Sequence, residues 1–172
     1  MRVVPMDIAT ATGEEAFEWL TERHLDRAYR LAWAILGDDG EAQDATQDAF
    51  ATAWRQRGKL RDPAKVEAWL SRILINGCRD RLRRRGRSRV QPLDLSRLPS
   101  VSDSAHETST RDELGRALAG LDADHRIVVV LRFWADLTVD DIADRVGIPT
   151  GTVKSRLHHS MRALRAALEE TR

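Results

Sequence analysis

Apolar residues recur along this chain at steps of three and four, the spacing of one face of a helix. Phe17, Leu20, Leu25, Ala28, Leu31, Ala32 and Ile35 predict a long amphipathic helix over 14–36. Gly37-Asp38-Asp39-Gly40 interrupts it, and Ala42, Ala45, Ala49, Phe50, Ala53 and Trp54 mark a second helix over 41–57. A loop follows at 58–63, since Asp62 precedes Pro63 and a residue before proline avoids helical backbone. Val66, Trp69, Leu70, Ile73, Leu74 and Leu82 carry a third helix over 65–85, whose end bristles with arginine. Residues 1–13 read as loosely ordered.

From Gly86 to Ser109 the periodicity stops and proline and serine accumulate, the signature of an interdomain linker with at most a short turn near 93–98. Residues 86–109, fully stretched, reach roughly 80 Å, enough for two modules to sit at separate places on one duplex. Helical spacing returns with Leu114, Leu118 and Leu121 over 112–121. Asp122 and Asp124 open another helix running through Ile127, Val128, Leu131 and Trp134. The β-branched run at 127–131 tempts a strand, but Arg126, Arg132 and the flanking period favour helix. The expected fold is all-α: a three-helix domain over 14–86, a flexible linker over 87–109, and a four-helix domain over 110–172.

The last part of that second domain is the most informative. Thr138 suits an N-cap, with Asp141 as an acidic variant of the capping box. Ile142, Ala143 and Val146 follow at helical spacing, and Gly147 ends the helix where positive φ is needed. Pro149 suits the opening of the next helix. There Val153, Leu157, Leu164 and Leu168 form an apolar stripe, with Met161 at its margin. The opposite face shows Thr152, Lys154, Ser155, Arg156, His158, His159 and Arg162, all hydrogen-bond donors and none acidic. Two short helices around a tight turn, the second presenting donors near its N-terminus, predict a helix-turn-helix with its DNA-recognition helix. A surface hairpin with a solvated basic face is the alternative.

Charge sharpens the picture. The net charge of +1 conceals a segregation. Between Leu31 and Trp54 there is no Lys or Arg, while Asp38, Asp39, Glu41, Asp44 and Asp48 give −5. From Arg72 to Arg89, eight arginines against Asp80 give +7. Two blocks of opposite sign suggest two partners of opposite charge, and arginine forks suit phosphates and base edges. The acids at 38–48 lack the alternating positions of a calcium loop. They have no nearby catalytic Lys or His, so neither a metal site nor a nuclease is expected. His158 and His159 point about 100° apart on a helix and cannot chelate one metal together. No cofactor is called for. Cys78, the one cysteine, can form no internal disulfide and reads as a packed thiol in a reducing compartment. No apolar run approaches a membrane span, and the N-terminus lacks a signal-peptide core, so a cytoplasmic protein with no membrane insertion of its own is expected.

Three stretches together resemble a bacterial RNA polymerase sigma factor of the extracytoplasmic function (ECF) group, sigma-70 family, which keeps only the second and fourth sigma domains. They are EAQDATQDAFATAW (41–54), AWLSRILINGCRDRLRRRGR (68–87) and LTVDDIADRVGIPTGTVKSRL (137–157). The resemblance covers about 29–168. It implies that Asp44, Gln47, Asp48 and Phe50 belong to the surface that binds core RNA polymerase. It implies that Asn76, Arg79, Asp80, Arg83, Arg84 and Arg87 work at the −10 element of promoter DNA, where the helix also assists melting, with Trp69 in the core. Thr152, Lys154, Ser155, Arg156, His158, His159 and Arg162 would read the −35 element, the paired histidines departing from the residues usual there. An anti-sigma factor as partner, a role in stress-responsive transcription regulation and the absence of enzymatic activity are further expectations of the resemblance.

Overall fold

The computed structural model describes residues 13–85 and 113–170. Every regular element among the described residues is helical, as the spacing predicts. The first unit consists of α1 (Gly13–Leu36), α2 (Asp39–Gln56) and α3 (Val66–Arg85). Asp38 caps α2, its carboxylate accepting the Glu41 N–H at 2.8 Å, and Gly37 turns the chain at φ 68°. The break between α1 and α2 is therefore shorter than expected: Asp39 and Gly40 are already helical, because the cap sits at Asp38. Before α3, Asp62 accepts the Ala64 N–H at 3.0 Å and starts a short 3-10 turn over Pro63–Lys65.

Small residues on the inner face of α2 (Ala42, Ala45, Ala49 and Ala53) let α1 and α3 approach closely, with Phe50 filling the space between. Two expected core residues of α1 sit at its margin instead. Phe17 is 41% exposed and lies edge-on to Trp54, and Leu25 is 42% exposed. Conversely, every residue from Leu31 to Leu36 is buried, including Trp33 and Ala34 on what the periodicity marks as the outer side. A helix end buried all round needs cover on a second face, and the second unit supplies it.

That unit comprises α4 (residues 113–119), α5 (Ala123–Val129), α6 (Val139–Val146) and α7 (Thr150–Glu169). Asp122 caps α5, and Arg126, itself buried, donates to the Leu118 and Ala119 carbonyls at 3.0 and 2.6 Å. Those are carbonyls at the end of α4, which lack partners within their own helix. The expected continuous helix to Trp134 instead widens into a π turn over Val130–Trp134. The helix-turn-helix forms as expected. Thr138 and Asp141 exchange both bonds of a capping box, and Gly147 closes α6 at φ 75° with its N–H on the Ala143 carbonyl at 2.8 Å. Pro149 is the residue just before α7 rather than its first helical position. Ser160 completes the buried stripe of α7, donating to the Arg156 carbonyl at 2.7 Å.

The two units meet along α3, which packs against α5 and α6, and apolar contact runs without a break from the α1–α3 core into Ile127, Leu131, Leu137 and Ile142. The linker over 87–109 and residues 1–12 lie outside the described residues.

The two caps of α6 set a stability expectation. Thr138→Ala should lower unfolding free energy by about 1 kcal/mol, and Gly147→Ala by about 1 kcal/mol because alanine resists positive φ. Urea titration followed by circular dichroism measures both; an unchanged midpoint for either variant would refute the corresponding cap.

Candidate nucleic-acid interface

Helical geometry sorts the charged residues of α3 into separate faces. Arg79 and Arg83 share one face, Arg81 and Arg85 share another about 200° away, and Asn76, Asp80 and Arg84 line a third. Each face has its own neighbours. Arg81 bonds Asp48 on α2 at 2.5 Å. Arg85 bonds Glu41 at 2.7 Å and the Leu36 carbonyl at 3.0 Å, with Asp38 3.9 Å away. The acidic and basic blocks are thus partly each other's partners, which their separation in sequence conceals.

On α2, Asp44, Gln47 and Asp48 face outward and are exposed, Asp48 with its tie to Arg81. Phe50 does not join that surface: at 4% exposure it packs beneath the helix and fixes the position of the face above it. On α3, Asn76, Asp80 and Arg84 are exposed along an open groove of about 410 Å³ between α2 and α3, shared with Thr52 and Arg55. Arg79 donates to Asn76 at 2.9 Å and Arg84 to the Asp80 carbonyl at 3.2 Å, so two arginines hold this strip in place. Trp69 is half-buried against the core. Arg87 lies outside the described residues.

On α7, Lys154, Ser155, His158, His159 and Arg162 are exposed, and Thr152 and Arg156 are half-buried. The two histidine rings stand edge-on with centroids 5.9 Å apart, and His159 is also edge-on to His125 of α5 at 6.5 Å. His125 is bound to Asp122 at 2.6 Å. Partial burial works to raise the Asp122 carboxyl, but hydrogen bonds from the His125 backbone and ring outweigh it and leave the group below its ordinary value.

Sequence reasoning passed over the residue that joins these surfaces. Asp124 reads there as a helix opener; in the structure it faces Arg79 and Arg83 of α3 and Arg156 of α7. Arg145 of α6 similarly reaches α3, at 3.1 Å from Ser71 and 3.4 Å from Glu67. No local pattern announces either contact, because the partners are far apart in sequence. Cys78 is wholly buried, and burial pushes its thiol up to about 12.

The sequence matches the family model of Sigma-70 region 2 over residues 20–88 and that of Sigma-70, region 4 over residues 117–166. The ECF RNA polymerase sigma factor SigL of Mycobacterium tuberculosis is 35% identical over 166 residues, covering 94% of this chain and 94% of the relative. SigM of the same organism is 37% identical over 141 residues, covering 82% of this chain and 71% of the relative. SigE of Mycolicibacterium smegmatis is 34% identical over 165 residues, and the match takes in 90% of this chain but only 64% of that relative's length. Among solved structures, CnrH in complex with the cytosolic domain of CnrY superposes with TM-score 0.66 at 25% identity over 95% of this chain and 93% of that one. The sigma factor RpoE in complex with the anti-sigma factor NepR from Bartonella quintana gives 0.65 at 25% identity over 92% and 99%.

Two expectations follow from the packing of α3. Ellman's reagent should leave native Cys78 unlabelled at pH 8 and titrate one thiol per chain once urea unfolds the protein; rapid native labelling would contradict the buried thiol. Arg85→Ala should cost roughly 1.5–3 kcal/mol of stability, since it strands both Glu41 and the Leu36 carbonyl, whereas Arg84→Ala should cost under about 0.5 kcal/mol. Equal urea midpoints for the two variants would overturn the division of labour.

Proposed function

The chain belongs to the sigma-70 family, ECF group, and on that premise we propose that it binds core RNA polymerase and directs promoter-specific transcription initiation. It acts by binding and positioning, with no covalent chemistry of its own. Its domains are taken as 14–86 and 110–172, joined by 87–109. Asp44 and Gln47, with Asp48 held by Arg81, form the acidic side of the polymerase contact on α2. Phe50 supports that face from below. Asn76, Asp80 and Arg84 meet the −10 element beside the α2–α3 groove, where unstacked bases find both donors and acceptors. Arg79, Arg83 and Arg87 hold phosphates, a salt-sensitive positioning term rather than sequence readout.

The observation that carries the reading is the face of α7. Behind a turn closed by the Thr138 cap and Gly147, its exposed groups through Arg162 are donors without a single carboxylate. Thr152, Lys154, Ser155, Arg156, His158, His159 and Arg162 are therefore suited to phosphates and base edges of a −35 duplex. No helix among the described residues is long and apolar enough to cross a membrane, and work on RNA polymerase puts the protein in the cytoplasm. The solved relatives named above are held by CnrY and by NepR, which supports an anti-sigma factor as the partner that keeps this chain from polymerase.

Run-off transcription with purified core polymerase on the chain's own upstream region tests the whole reading; a transcript that requires this protein is expected, and none on any supplied promoter would sink it. Within that assay, Asp44→Asn with Gln47→Ala should weaken core binding roughly fivefold, about 1 kcal/mol. Arg83→Ala with Arg84→Ala should lower the log–log salt slope of promoter binding by roughly 0.9 per lost phosphate contact. Arg81→Ala, whose guanidinium serves α2, should leave that slope where it was.

A further inference from the structure

One carboxylate of the second unit stands against three guanidinium groups. Asp124, in the first turn of α5, lies 2.9 Å from Arg79 Nε, 3.1 Å from Arg83 Nη2 and 3.3 Å from Arg156 Nη2. Arg83 is aligned as a hydrogen bond, while Arg79 Nε is close but misaligned, an ion pair only. Asp124 is 22% exposed and Arg79 15%, so water screens these contacts less than it does most surface pairs. With two cationic helices converging on it, the carboxylate occupies the place a DNA phosphate would take.

A second tie closes the same interface roughly 20 Å away along α3. There Arg145 meets Glu67 and Ser71, and Arg72 donates to the Asp144 carbonyl. Between the ties, α5 and α6 lie directly on α3. A duplex drawn to Arg79 and Arg83 needs the space that α5 fills.

We infer that the free chain holds itself in a closed state in which Asp124 acts as an internal phosphate mimic, masking Arg79, Arg83 and Arg156 until polymerase or DNA parts the two units. This rests on the reading of those arginines as DNA contacts. The contacts are few and ionic, so a polyanion presenting many phosphates competes with them effectively. The closed state lowers apparent affinity for DNA by the fraction of chains that are open. It thereby disfavours binding to promoters by chains not yet joined to polymerase.

The test uses the full chain with spin labels at Gln43→Cys on α2 and Glu169→Cys on α7, both exposed, leaving buried Cys78 unlabelled. Asp124→Asn keeps the shape of the side chain and removes its charge, and Asp124→Glu keeps the charge. Pulsed EPR should show a longer, broader distance distribution for Asp124→Asn and the native one for Asp124→Glu. Fluorescence anisotropy on a duplex of random sequence at fixed salt should show roughly three- to tenfold tighter binding by Asp124→Asn. The unsubstituted chain should open as sodium chloride is raised from about 0.1 to about 0.5 M, a readout that does not depend on any Asp124 variant folding. Distances that change neither with Asp124→Asn nor with salt overturn the latch. Distances that open while DNA affinity stays level overturn the masking. In that case Arg83→Ala in the Asp124→Asn background locates the fault: no further loss of binding means that the reading of the arginines as DNA contacts has failed.

Discussion

Five arginines within seven residues, Arg79 to Arg85, impose the constraint around which the structure is arranged. Such a helix repels itself unless each charge finds an anion or water. The helical repeat sends Arg81 and Arg85 to the acids of α2, Arg79 and Arg83 to Asp124, and Arg84 outward beside Asp80 and Asn76. The first pair ties the α1–α3 unit together. The second ties that unit to its neighbour. The third face is open for recognition.

The second unit is built by backbone bonds that make α7 a rigid display. The Thr138–Asp141 box starts α6, the left-handed Gly147 ends it, and Ser160 and Val153 seat α7 on the core. The hydroxyl and N–H of Thr138 hold the Asp141 carboxyl below its ordinary value. Arg126 is spent inside the domain, on the carbonyls that end α4, so it is unavailable to a partner. Burial lowers its guanidinium only to about 10, which leaves it charged at neutral pH. What remains on the surface of α7 is a row of donors, the arrangement a duplex needs from a recognition helix.

These two facts bear on each other. Recognition surfaces on α3 and α7 are useful only when both are free, yet in the closed chain they converge on one carboxylate. Apolar contact between the units, from Trp33 and Ala34 at the end of α1 to Trp134 and Leu137, adds a non-ionic component that salt does not remove. Single exposed ion pairs contribute little, so a state held by a few of them and a modest apolar seam is one that a binding partner can exchange for another.

Periodicity and caps are local, and the sequence by itself determined what depends on them: an all-helical chain, the start and end of α6, the donor face of α7, and family membership through three separated motifs. Thr138, Gly147 and the Val153–Leu164 stripe were legible because their physics acts over fewer than four or five residues at a time. Tertiary structure decided everything that joins residues distant in sequence. It turned Arg81 and Arg85 from surface charges into partners of α2, and moved Phe50 from contact surface to support. Leu31–Leu36 became buried on all sides once a second unit lay against them. Asp124, a helix opener in sequence, became the meeting point of α3, α5 and α7. No periodic pattern encodes such a contact, since a charge carries no local mark of which distant charge the fold will bring beside it.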